Sequence, residues 1–175
     1  TEGLQGFPYI FEQSAGGAIG LGLAVIWYAR HHLKKVWRHT MGKERLDDSD
    51  EPMPYKLAVW GFIFGCLFLV WFAINAGMRP FTAFIYMSIF LILVLVVARL
   101  RAEVGLPTVE LYQVGADSIL RNVAGDAFWS RGDLTTMGLF FFMSRTHRQV
   151  PMSTQVDSVR IAHRSGIKLR TITIA

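Results

Sequence analysis

Cysteine and charge are the scarce commodities of this chain: one cysteine in 175 residues, and a charged fraction of 18%. The single thiol, Cys66, excludes an internal disulfide, so no oxidising compartment is implied. It lies inside an apolar run with no metal-ligating neighbours and reads as a small buried hydrophobe. Catalytic signatures are missing as well. There is no Gly-x-Ser-x-Gly elbow, no phosphate-cradling glycine loop and no His-Glu-x-x-His zinc motif. A non-catalytic chain is expected. His31, His32, His39, His147 and His163 all belong to basic stretches, none to an apolar run. That leaves no ligand set for a metal or for a haem within a bilayer. No cofactor is evident, although apolar helices leave room for lipid or pigment contact.

What remains is apolar. Hydrophobic residues make up 52% of the chain, aromatic residues 13%, and they fall in blocks, unlike those of a soluble domain. The net charge of +5 gathers beside these blocks, as in cytoplasmic loops of membrane proteins. No face combines basic residues with stacking aromatics, so no nucleic-acid partner is expected. The composition predicts an all-α integral membrane protein with three transmembrane helices and amphipathic membrane-surface helices.

The spans are expected at about 8–29, 57–78 and 81–98, within a membrane region covering 1–106. The first, 14-SAGGAIGLGLAVIWYA-29, needs the aromatics upstream of it to reach the ~20 residues a crossing requires. Residues 57–78 and 81–98 contain no charge, and the short turn at Arg79-Pro80 makes them an antiparallel hairpin. The connector 30–56 is basic, then acidic. Leu33, Val36 and Trp37 recur at helical spacing, predicting an amphipathic helix over 30–45 on the membrane surface, before Pro52 and Pro54 break it. That connector carries seven Lys and Arg against one in the 79–80 turn. The bias predicts a cytoplasmic connector and an outside N-terminus, in a bacterial inner membrane with anionic headgroups.

Residues 107–175 are expected as a membrane-surface or re-entrant region with a basic cytoplasmic tail. Ile119, Leu120, Val123 and Phe128 offer an apolar face for burial. The run 133-DLTTMGLFFFMS-144 is too short to span and suits an interfacial or re-entrant segment. Val156, Val159 and Ile161 predict a short helix ending near Gly166.

Two sets of residues stand out. Gly16 and Gly20, and Gly61 and Gly65, form G-x-x-x-G pairs. Ala18 with Gly22 and Ala73 with Gly77 give the looser form. Such faces let helix backbones approach closely in lipid, which points to other transmembrane subunits as partners. The second set is Arg99, Arg101, Glu103, Gly105 and Pro107, where the third span ends. Arg99 and Glu103 are spaced to pair on one helix face. The cluster is a candidate for docking, or for a gate where a charged group meets a broken helix. The spans lack the ionisable groups that mark ion routes, leaving a scaffold role or a neutral-solute path.

The succession 51-EPMPYKLAVWGFIFG-65, 75-NAGM-78, 98-ARLRAEVGLP-107 and 150-VPMSTQVDSVRIAHRSG-166 resembles a family of large polytopic bacterial membrane proteins. That family comprises two adjoining domains of unknown function and is distantly similar to oligopeptide transporters. The resemblance covers an interior window of the family's length. Thr1, with no initiator Met, and the closing 171-TITIA-175 are expected as ends of an interior piece of a longer protein, or of a processed or partly ordered subunit. The resemblance implies a fragment of a polytopic solute transporter. The uncharged, glycine-faced spans favour the other reading: a non-catalytic subunit that stabilises a larger membrane complex, respiratory or photosynthetic.

Overall fold

The structure, a computed structural model, describes residues 7, 9–44, 46, 51–105, 111, 114–145 and 151–166. Pro107 and the closing 171–175 stretch lie outside them. Every regular element among the described residues is helical: α1 (Ile10–Thr40), α2 (Tyr55–Asn75), α3 (Pro80–Val104), α4 (Ala116–Ala124), a 3-10 turn (Asp126–Phe128), α5 (Arg131–Leu139), α6 (Phe141–Arg145) and α7 (Pro151–Ser165). The first three are long and apolar enough to cross a membrane. At 1.5 Å per residue they measure about 46, 31 and 37 Å.

Their boundaries differ from the expected spans for local reasons. Nothing in 30-RHHLKKVWRHT-40 breaks a helix, so the basic stretch continues the axis of α1 instead of forming a separate surface helix. Arg30 stacks on Trp27, 4.0 Å from the ring centroid, at the change from apolar to basic sequence. α1 stops where Gly42 takes φ +75 and the Gly42 and Lys43 amides donate to the carbonyls of His39 and Arg38. The connector then folds back: the Leu46 amide donates to His39 Nδ1 at 2.8 Å, and Tyr55 sets its ring edge-on to His32 and His39.

α2 ends three residues earlier than expected. Gly77 leaves the helix at φ +107, a conformation that glycine adopts without Cβ strain. The Ala73/Gly77 pair therefore shares no helix face: Ala73 is fully buried, and Gly77 belongs to the turn. Pro80 opens α3 at its first position, where a missing amide proton costs nothing. α3 in turn runs past 98 to Val104, and carries Arg99, Arg101 and Glu103 in its last turns.

α3 is the axis of the fold. Tyr86, Leu93 and Val96 are among its buried residues. α1 packs on it through Ala15, Ala18 and Gly22, whose small side chains let the two backbones close up. A Cβ on Gly22 would collide with Ile92 Cγ2 and meet Val96 Cγ2 at 3.1 Å. The Ala18/Gly22 spacing is thus the seam between α1 and α3. α2 buries Ala73 alone and exposes Trp60, Phe64, Phe68 and Trp71.

Part of the segment after residue 110 packs into the core. Leu111, Val114 and Ile119 pack with Ala15, Ala18 and Leu93, at the middle of α3. Ala116, Leu120, Trp129, Met137 and Phe140 then join Ala73, Tyr86 and Phe90 in the main core. α4 and α5–α6 form a hairpin that runs down α3 toward Arg79 and turns back. Ile119 and Leu120 are buried as expected; Val123 and Phe128 are exposed, because only one side of this short limb meets α3. Finally α7, ended by Gly166 at φ +67, returns to the far end of α3.

Candidate functional site

The two limbs of the hairpin border an open pocket of about 520 Å³. One wall is α4, where Asp117, Ser118 and Arg121 share a side at its second, third and sixth positions. The buried Ala116, Ile119 and Leu120 hold the other side against the core. Gly125 ends α4 at φ +74 and brings Asp126 to the cavity rim. There the Arg121 guanidinium grips the Asp126 carboxylate with two hydrogen bonds, Nε to Oδ1 at 2.6 Å and Nη2 to Oδ2 at 3.1 Å. The facing wall is apolar. Leu134, Met137, Gly138 and Phe141 line it, spaced three, four and seven residues apart on one helical face. A Cβ on Gly138 would meet nothing within 4 Å; the glycine leaves space there. Asp117, Arg121 and Asp126 sum to a lining charge of −1.

The apolar wall is fixed in place by Asp133. Its side chain is fully buried at the start of α5, outside the three long helices. Four contacts converge there. The Arg79 amide donates to Oδ1 at 2.8 Å, Arg79 Nε to Oδ2 at 2.6 Å, and the Ser130 amide to Oδ2 at 3.0 Å. The Asp133 amide in turn donates to Ser130 Oγ at 3.1 Å, completing a capping box. Burial pushes the Asp133 carboxyl upward, but the donors from Arg79 and Ser130 outweigh it and hold the group below its ordinary value. Two further contacts pin the same joint. Thr136 Oγ1 donates to the Ala76 carbonyl at 2.9 Å, satisfying an acceptor left open where α2 ends. Arg79 Nη2 donates to the Phe128 carbonyl at 3.1 Å. Asp133 and Thr136 of α5 thereby tie the α2–α3 turn to the hairpin.

The residues singled out in the sequence lie elsewhere. A Cβ on Gly16, Gly20, Gly61 or Gly65 would meet nothing within 4 Å; these faces are open toward the outside of the chain. Arg99 and Glu103 pair at 2.5 Å, both about half exposed. Arg101 turns the other way, to Asp157 of α7, with Nε 2.6 Å from Oδ2. Arg160 Nη1 adds a bond to the Ala102 carbonyl at 2.7 Å. Gly105, at φ +70, caps α3 by donating to the Arg101 carbonyl at 2.9 Å. This helix end is therefore occupied by the chain's own α7, and it does not reach the cavity.

The sequence did carry a signal for the cavity. In 115-GADSILRNVAGD-126 a glycine stands at each end, and polar residues recur on one face of a segment too short to span. The spacing of Ser130 and Asp133 is a helix-start signature. Among the described residues, no group of three or more His, Cys, Asp or Glu could hold a metal ion.

The family of unknown function DUF6785 matches the chain over residues 1–175. Among curated proteins and among solved structures, none matches.

Proposed function

The chain belongs to DUF6785, a family of unknown function, and we propose that it is a non-catalytic membrane module, packed among other transmembrane segments and lending a re-entrant hairpin to a solute path. The observation that carries this reading is the α4–α6 hairpin. Its helices of 9, 9 and 5 residues are too short to cross a bilayer. They nevertheless pack against Tyr86 and Phe90, within the apolar length of α3. Broken backbone at that depth is tolerated where it is buried in protein or lines a water-filled cavity, and transporters build solute sites from such elements. The charge missing from the spans is present here, in Asp117, Arg121 and Asp126. The proposed setting is the bacterial cytoplasmic membrane, with the N-terminus outside and residues 30–56 in the cytoplasm, supported by the Lys and Arg bias. The basic end of α1 then lies among anionic headgroups.

Cysteine accessibility tests this reading. With Cys66 replaced by serine, single cysteines at Ser118 and Gly138 should react with a membrane-impermeant maleimide about tenfold faster than cysteines at Phe64 and Phe68 on α2, because the thiolate that reacts requires water. Hairpin positions as inert as those on α2 would remove the solute path.

A purely structural subunit of a larger complex is the second reading, favoured by the open faces at Gly16, Gly20, Gly61 and Gly65. Since a side chain at 61 or 65 meets nothing in the chain itself, Gly61→Leu with Gly65→Leu should leave the fold intact. The double variant should abolish co-purification with partner subunits in mild detergent. Gly22→Leu serves as the contrast, because it strikes Ile92 and disturbs the chain's own α1–α3 seam. Undiminished co-purification of the double variant would show that this face is not the contact.

A further inference from the structure

We propose that the basic arc of α1 just beyond its apolar stretch binds the headgroup of an anionic phospholipid, phosphatidylglycerol in its simplest form. This partner rests on the membrane setting proposed above and not on the solute path. The arc is built by the helix itself. Because α1 runs unbroken to Thr40, Arg30, Lys34 and Arg38 stand one above the other at four-residue spacing, flanked by His31 and Lys35. All five are exposed. His32, Val36 and His39 occupy another side, where both imidazoles meet the Tyr55 ring, leaving the arc clear of α2.

The charges on the arc are not equally available. The Arg38 guanidinium is held by Glu44, Nη1 donating to Oε1 at 2.8 Å, and Arg30 lies over the Trp27 ring. Lys34 and Lys35 enter no ion pair among the described residues. Their depth selects lipid over a protein partner. From Ile10 to Tyr28 α1 rises about 27 Å, close to the ~30 Å of a hydrocarbon core. Trp27 and Tyr28, both exposed, then mark the interface. Lys34 and Lys35 lie about 6 and 7.5 Å further along the axis than Arg30, and the headgroup layer of one leaflet is about 5–8 Å thick. Both ammonium groups thus sit at the depth of lipid phosphates, and the flexible lysine stem lets them follow one.

Retention of single lipids by the purified full chain in mild detergent tests the assignment. Native mass spectrometry compares phosphatidylglycerol with phosphatidylcholine, which share a phosphate and differ in net charge. The chain should hold phosphatidylglycerol about twenty-five-fold more tightly, roughly fivefold for each lysine at an anionic surface. Lys34→Gln with Lys35→Gln should erase that preference. Arg131→Gln with Arg164→Gln removes the same charge from two exposed positions elsewhere and should leave it intact. Equal retention of the two lipids by the unaltered chain, or equal loss in the two double variants, overturns the proposal. So does hexaglutamate displacing phosphatidylglycerol at equal concentration, which would assign the arc to an acidic protein segment. Carbonate extraction from vesicles of these lipids separates the two levels. A chain that resists extraction but does not discriminate the lipids keeps its membrane setting and lacks this site; a chain that is extracted yet prefers phosphatidylglycerol does the reverse.

Discussion

Asp133→Ala should release α5 from the α2–α3 turn and lower stability by roughly 3 kcal/mol. Removing one partner of a buried ion pair costs about 3–5 kcal/mol, and the lower end applies because the Arg79 side chain is 48% exposed and can rehydrate. The amides of Arg79 and Ser130 are less fortunate: each loses its carboxylate acceptor in a packed joint. Hydrogen exchange should accelerate across residues 126–139 while α1 and α2 keep their protection. Asp133→Asn, retaining an acceptor but no charge, should fall between. The pH dependence has a definite sign. The folded carboxyl is held below its ordinary value, so its contribution is complete above that value, about pH 4, and is lost as pH falls through the depressed one. Stability of the hairpin should thus be flat from pH 7 to about 5 and decline below about 4. The Ala variant should lack this decline. An unfolding midpoint equal to that of the parent chain would contradict the assigned joint.

Gly132→Ala should destabilise the same joint by about 1–3 kcal/mol, the usual cost of overpacking. The sign is the test, because alanine in a helix is ordinarily better than glycine by up to about 1 kcal/mol. Here the added methyl would strike the carbonyl oxygen of Gly77. That oxygen cannot step aside. Its turn is fixed by the Gly77 amide bonding to the Ile74 carbonyl at 3.0 Å and the Met78 amide to the Ala73 carbonyl at 3.1 Å, and by Thr136 on Ala76. The expected signature is loss of protection in α5 with helix content preserved. A neutral or stabilising alanine would mean that α5 and the turn lie further apart.

The long helices were legible because their signals are local. Composition over some twenty residues predicts α2 and α3 wherever they pack, and Pro80 and Gly105 mark the limits of α3. The basic end of α1 stays helical to Thr40 because a change from apolar to charged residues alters the surroundings of a helix but not its hydrogen bonding. Gly77 shows the converse: its spacing from Ala73 fits a packing pair, and its backbone belongs to a turn. The site was harder. Asp133 and Arg79 lie 54 positions apart, and no periodicity in either segment announces that they meet. Asp117, Arg121 and Asp126 look like the solvent face of an ordinary amphipathic helix until α5 is placed opposite them. The Arg99–Glu103 pair was readable from i, i+4 spacing, whereas the pairing of Arg101 with Asp157, 56 positions away, required α7 to pack against the end of α3.

The dependence of the hairpin on α3 also bears on the order of synthesis. By length and composition α1, α2 and α3 are each able to cross a membrane on their own. Neither α4 nor α5 is, and each brings charged side chains that oppose entry into lipid. Their binding surface consists of Ala73, Tyr86, Phe90 and the Arg79 turn, all of which are translated earlier. A nascent chain halted before residue 130 holds α4 without its opposite limb and exposes Asp117 and Arg121 beside the finished α3. The second half of the hairpin then adds the apolar wall and the tie to the Arg79 turn, a step that the first three helices can only prepare.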